Sequence, residues 1–313
     1  MLGRILSMGE AVVDVLPADG GLWRPVPGGS SYNVALALGR LGAPAAFVGR
    51  LSRDEQGSRM RAILEGAGVA TDLVSADDRP SPLSLVERGS ETSSARYSIH
   101  LAETAHAPPD LPAGWLDGAA HLHVSSFSAI VGEWGRAVGA ALDAAEGRAT
   151  RSLDVNIRPL LVPALEETRR LVAERLRQVE IVKASADDLA WLFPDRAAQE
   201  VATEWSRSGA LAILTRGAAG ASAFLRGAGV DRPAFAVNVV DTVGAGDAFM
   251  AAFLARAFEA GVLADPGSAD LPALGALLDY ANAAAALCCG RAGADAPAAA
   301  EVEAFVETSR SRE

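Results

Sequence analysis

Apolar and polar positions alternate along this chain with two different periods. A short apolar run over 5–15 is interrupted by Gly9, Glu10 and Asp14, the pattern of a buried strand that ends in a polar edge. Pro27-Gly28-Gly29-Ser30-Ser31 then leads into 33–41, where apolar side chains recur at helical spacing; this predicts a glycine turn, a serine cap and a helix. A strand is expected over 45–48 and a helix over 56–65 that ends at 66–69. Beyond Pro108-Pro109 the pattern predicts strands over 121–125, 151–155 and 180–182, separated by helices over 133–146 and 165–177. Strands over 211–215 and 221–225 and helices over 246–260, 271–287 and 299–308 complete the chain. Strand alternating with helix predicts a parallel sheet covered on both faces. The stretch 82–100 breaks the rhythm. Ser84-Leu85-Val86-Glu87 and Ala95-Arg96-Tyr97-Ser98-Ile99 alternate like half-exposed strands around a Gly89-Ser90 turn, which predicts a hairpin lid.

Composition narrows the function. The 313 residues include 28 Lys plus Arg against 39 Asp plus Glu, a formal charge of −11, and half of them are hydrophobic. That supplies a full core, and an acidic chain with no basic run is poorly suited to nucleic acid. Lys183 is the one lysine and follows Val182, so the Gly-Lys-Ser/Thr of a Walker A loop is absent. A G-x-G-x-x-G after a first strand is also missing, which argues against a nicotinamide-dependent dehydrogenase. H-E-x-x-H and G-x-S-x-G do not occur either. Cys288 and Cys289 are adjacent and cannot frame disulfides. His121 and His123 share one strand face without an obvious third ligand, which favours packing or hydrogen bonding over a metal. The amino terminus reads as a first strand rather than a signal peptide, and no charge-free apolar stretch approaches membrane-spanning length; a cytoplasmic, membrane-free protein is expected.

The strongest chemical signal is Asp241-Thr242-Val243-Gly244-Ala245-Gly246-Asp247-Ala248-Phe249. It opens an amphipathic helix with Phe249, Phe253 and Ala257 on one face, so free N–H groups at the helix start can meet an anion. Asp247 would repel a bound phosphate there, unless it accepts a proton from a hydroxyl that attacks that phosphate. On the residues alone, Asp247 is equally well read as a cap or a dipole-favouring acid.

Gly28-Gly29-Ser30-Ser31-Tyr32-Asn33-Val34-Ala35, Leu38-Gly39-Arg40-Leu41-Gly42 and Val48-Gly49-Arg50-Leu51, together with 241–249, resemble the ribokinase-like (PfkB) family of carbohydrate kinases. Between these ends Asp154-Val155-Asn156-Ile157-Arg158-Pro159, the 183–188 segment, Thr215-Arg216-Gly217-Ala218-Ala219-Gly220 and Ala281-Asn282-Ala283-Ala284 fall in the family's order, so the resemblance covers nearly the whole chain.

The resemblance implies a three-layer α/β/α fold with a central, mostly parallel sheet, one domain over 1–313, and lid strands inserted at about 11–27 and 82–101. It implies ATP and Mg2+ as cofactors, a small-molecule sugar as acceptor, and a homodimer formed through the lid. Asp247 matches the catalytic base, and Gly244, Ala245 and Gly246 match the backbone anion hole. Asp14, Gly28, Gly29 and Asn33 match binders of sugar hydroxyls, for which carboxylate and amide groups are suited. Thr215, Gly217 and Gly220 match the nucleotide-side loop, with Asn282 near the adenine and Lys183 in the same half. Where the family has Asn-x-x-Glu, this chain has Ser185 and Asp188, so Asp188 is expected to reach Mg2+ through water. Asp241, Val243, Cys288, Arg291 and Gly293 resemble a monovalent-cation loop built mostly of backbone carbonyls, suited to K+.

Gly9-Glu10, 154–159 and 28–33 look more like bacterial fructokinases than ribokinases. Arg158 and the lid's Arg96 are expected to face the substrate. Either would also serve the carboxylate of 2-keto-3-deoxygluconate, so that acceptor stays open, as does a catalytically silent sugar-binding regulator on the same fold.

Overall fold

The computed structural model describes residues 3–87 and 96–310. Among these the chain begins β1 (Arg4–Met8), β2 (Val12–Pro17), β3 (Trp23–Gly28), α1 (Ser30–Arg40), β4 (Ala45–Ser52), α2 (Glu55–Gly66) and β5 (Val74–Asp77). It continues with β6 (Leu83–Glu87), β7 (Arg96–His100), β8 (Ala119–Ser125), α3 (Gly132–Ala145), β9 (Thr150–Asp154), α4 (Leu165–Leu176), β10 (Ile181–Ser185), α5 (Ala186–Leu192) and α6 (Ala198–Arg207). The last part is β11 (Leu211–Thr215), β12 (Ala221–Leu225), β13 (Ala228–Arg232), α7 (Ala245–Glu259), α8 (Leu271–Cys289) and α9 (Ala299–Arg310).

The large sheet has the order β13-β12-β11-β10-β9-β8-β1-β4-β5. Its strands pair in parallel from β11 across to β5, and β12 and β13 add an antiparallel edge. Alternate strand residues feed opposite layers. Ile5, Phe47, Ile181 and Ile213 pack with α1, α2, α7, α8 and α9, while Leu6, Val48, Val182 and Leu214 pack with α3, α4, α5 and α6. The result is helix on sheet on helix. A second sheet, β3-β2-β6-β7, forms the expected lid, and the Gly89-Ser90 turn lies outside the described residues.

Several local expectations change. The strands β5 and β13 and the helices α5 and α6 were not expected from the pattern. The serine cap of α1 is absent: Gly29 is the cap residue, at φ 101, and no side chain caps this helix end. Burial on α7 is not one-sided, because Asp247 to Ala255 are all buried where the helix runs between α1 and α8. α8, at 19 residues, has the length and hydropathy of a membrane span, although Asp279 interrupts its apolar run. It is a core helix nonetheless: 61% of its most apolar window is buried, and its Asp279 pairs with Arg232 at 3.3 Å. His121 and His123 are fully buried; His121 bonds Thr150 and Ser152 at 2.9 and 2.7 Å, and His123 bonds Ser152 at 2.8 Å. Among the described residues no group of three or more His, Cys, Asp or Glu is placed to hold a metal.

Candidate active site

In a parallel sheet with helices on both faces, clefts form outside the carboxyl ends of the strands where the strand order reverses. Here that point is β1, which pairs with β4 on one side and β8 on the other. A cavity of about 740 Å³ opens there, and its lining includes Glu10, Asp14, Asn33, Arg158 and Asp247.

Asp247 sits in the first turn of α7 without capping it. Its Oδ1 accepts from Ser30 Oγ at 2.7 Å and its Oδ2 from Asn33 Nδ2 at 2.8 Å, both across from α1. The capping position belongs to Gly244, whose left-handed φ of 77 suits glycine; a Cβ there would lie 2.4 Å from the Ala294 side chain. Among the described residues the N–H groups of Gly246 and Asp247 meet no acceptor. They face outward at a helix start, where the peptide dipoles favour negative charge. Burial raises the carboxyl of Asp247 above its ordinary range, while Asn33, Ser30, Arg158 and Lys183 pull it back.

Glu10, Asp14 and Asp187 also line the cavity, and the first two are held by the protein. Burial lifts Glu10 to about 7, although its Oε1 accepts from the Ser30 N–H at 3.1 Å and its Oε2 from the Ser128 hydroxyl. Asp14 is lifted to about 6, again by burial, with Ser84 of the lid bonding to it. Gly28 makes room for Asp14, since a Cβ on Gly28 would lie 2.1 Å from Asp14 Oδ2.

The turn after β9 supplies the cation. Asn156, with a left-handed φ of 36, donates from Nδ2 to Ser30 Oγ at 3.0 Å. Arg158 donates to Asn156 Oδ1 at 2.6 Å and lines the cavity. Beneath this layer Lys183 and Asp154 form a buried pair at 2.7 Å, with side chains 4% and 1% exposed. Lys183 is therefore a charge under the helix start rather than an arm reaching into the nucleotide half; its Nζ is 3.6 Å from where a Gly246 Cβ would stand.

Of the remaining expected residues Val243 also lines this cavity, whereas Thr215, Gly217, Gly220, Asn282, Asp241, Cys288, Arg291 and Gly293 do not. Thr215 ends β11 beside Ser185 of β10, and Gly217 and Gly220 follow with φ of 52 and 85. Asn282 donates to the Pro233 carbonyl at 3.0 Å. Asp241 accepts from the N–H groups of Val243 and Gly293 at 3.0 and 2.9 Å, which gathers the proposed cation loop. In the same loop Cys288 lies against the Val243 carbonyl, and its own carbonyl accepts from the Arg291 N–H at 3.0 Å. The Arg96 side chain lies outside the described ones. Asp188 departs from its expected place: its oxygens accept from the N–H of Ile157 at 2.7 Å and from the N–H and hydroxyl of Ser185 at 2.8 and 2.7 Å.

The model of the PfkB family carbohydrate kinases matches residues 5–301. The chain belongs to that family. A fructokinase of Rhizobium leguminosarum bv. trifolii is 34% identical over 257 residues, 80% of this chain and 78% of that one. The crystal structure of a Xylella fastidiosa fructokinase with bound ATP has a TM-score of 0.89 and 26% identity, covering 99% of this chain and 100% of the other. A double mutant of the Vibrio cholerae O395 fructokinase, in a form with fructose, ADP and potassium ion bound, has a TM-score of 0.83 and 25% identity over 97% and 98%.

Within this PfkB kinase chain, several participants escaped the sequence reading. Glu10, Ser30, Ser84, Ser128 and Asn156 all belong to the hydrogen-bonded frame of the cavity. Glu10 had a usable signal, a lone acid directly after a buried apolar strand. The serines had none, because a hydroxyl near a helix start reads first as a cap.

Proposed function

We propose that this protein is an ATP-dependent sugar kinase that phosphorylates a primary hydroxyl of a monosaccharide, with fructose as the acceptor. The observation that carries the reading is Asp247, a buried carboxylate held by Ser30 and Asn33 beside unpaired N–H groups.

The acceptor lies in the cavity, its hydroxyls bonded by Asp14 and Asn33 and by the backbone at Gly28 and Gly29. Asp247 takes the proton of the attacking hydroxyl as that oxygen bonds to the γ-phosphorus and the bond to the ADP oxygen breaks. The N–H groups at Gly244, Gly246 and Asp247 meet the charge on the transferred group, whereas the Ala245 N–H already donates to the Thr242 carbonyl at 3.3 Å; Arg158 lies across the cavity and Lys183 beneath. In an acidic protein whose single lysine is buried against Asp154, backbone donors and arginine do the work a P-loop lysine does elsewhere.

The nucleotide is proposed to lie over Thr215, Gly217 and Gly220, where Gly217 leaves open space and Gly220 lets the 232–234 backbone pack close, with Asn282 bracing the 232–233 segment next to it. The residues fit Mg2+ carried in by the ATP phosphates rather than a protein cage. When bound, it supplies charge neutralisation. K+ fits the carbonyl-rich loop gathered by Asp241.

Fructose is favoured over 2-keto-3-deoxygluconate by the lining itself. Glu10, Asp14, Asp187 and Asp247 line the cavity with one arginine, an electrostatic setting that suits a neutral polyol better than a sugar acid. The test is ADP formation with fructose, 2-keto-3-deoxygluconate, ribose and adenosine. Fructose should give the highest kcat/KM, and no turnover with any member of the panel would overturn the reading.

A further inference from the structure

A magnesium role for Asp188 requires a carboxylate with open lone pairs toward the cleft. Asp188 is 7% exposed, and both of its oxygens already accept hydrogen bonds from the protein. Asp188 does not line the cavity, whereas the neighbouring Asp187 does. Three short charge-assisted bonds take up most of the acceptor capacity of one carboxylate.

We propose that Asp188 is a positioning residue for the acceptor side: it locks the turn that carries Asn156 to Ser30 and Arg158 into the cavity. The proposal rests on the sugar-kinase reading. β9 ends at Asp154, and Val155 still donates to the Lys183 carbonyl at 2.9 Å. The next residue, Asn156, turns the chain with its φ of 36, and the buried Ile157 N–H then has no strand to pair with. A buried, unpaired N–H is costly, and Asp188 Oδ1 meets it at 2.7 Å. The opposite oxygen closes the capping box with Ser185, so the carboxylate joins the start of α5 to this turn. The entire run from Asn156 to Leu161 lines the cavity. What Asp188 holds is therefore a wall of the sugar site.

The shorter acid fits this role. An aspartate three residues past the cap folds back onto Ser185, and its other oxygen still reaches Ile157. A residue that only capped α5 would affect stability and leave the sugar site unchanged.

The test compares wild type with Asp188→Ala and the milder Asp188→Asn, using the full chain and two readouts. The first is amide hydrogen exchange of the 155–159 peptide, which needs no turnover. The second is the fructose KM measured alongside the Mg2+ activation midpoint. Losing a buried charge-assisted bond should speed exchange and raise the fructose KM, each by about tenfold, and leave the Mg2+ midpoint within about twofold. In an Asn156→Ala background the Asp188→Asn effect on fructose KM should largely vanish. A raised Mg2+ midpoint with unchanged fructose KM and unchanged exchange would overturn the proposal, and so would full additivity in the double mutant. If the wild type phosphorylates no sugar, the kinase reading fails, while the exchange data still decide whether Asp188 holds the turn.

Discussion

Asn33 and Asp247 are 214 residues apart in the chain, and the Asn33 amide donates to Asp247 Oδ2 at 2.8 Å. The contact exists because α1 and α7 pack side by side with their starts at the same edge of the sheet. It fixes the direction of the carboxylate and favours its ionised form. Asn33→Leu should therefore raise the pKa of Asp247 further. An ionised base is lost as pH falls through its pKa, so the acid limb of kcat should move to higher pH, with kcat at neutral pH down by about tenfold. A pH–rate profile checks this; an unmoved limb would count against it.

Glu10 carries a stability cost with a defined sign. Burial lifts it from 4.5 to about 7. Between those values the folded chain keeps a proton that the unfolded chain has released, so stability falls as pH rises through the window. Glu10→Gln removes the charge. Relative to wild type it should gain up to about 3 kcal/mol above the window and almost nothing below it. Thermal melts on both sides of the window decide it, and an equal Tm difference at both would refute the assignment.

Gly28 is a steric partner of Asp14 rather than a simple turn residue. A methyl group at Gly28 would sit 2.1 Å from the Asp14 carboxylate and displace it. Gly28→Ala should raise the fructose KM by about tenfold or more while the KM for ATP stays put. Equal effects on both constants would point to general unfolding of the lid instead.

Asp241 joins two backbone segments of the proposed cation loop. With K+ exchanged for a bulky organic cation at constant ionic strength, wild-type kcat should drop. Asp241→Ala should start low and no longer respond to K+. Identical rates in both salts would remove the cation from the account.

The architecture was legible in the sequence because buried parallel strands and their covering helices repeat in a regular order. The lid was legible because 82–100 breaks that order. β5, β13, α5 and α6 were not. β5 and β13 are short edge strands with partly exposed residues such as Ala76 and Asp231, which leave no apolar run. The site was half legible. Asp14, Asn33, Arg158 and Asp247 meet in one cavity, as their motifs implied. What stayed hidden were side chains bonded across long sequence separations. Ser30 reads locally as a cap but serves Asp247, and Asp188 reads by resemblance as a magnesium organiser but pairs with Ile157.

The central claim is that Asp247 takes the proton of the acceptor hydroxyl. Its most direct test is the rate of ADP formation with fructose and saturating Mg-ATP for wild type and Asp247→Asn, with an unchanged fold verified by circular dichroism. The account predicts a kcat lowered by about 10²- to 10⁴-fold with fructose still bound. A folded Asp247→Asn protein that keeps full activity would contradict it.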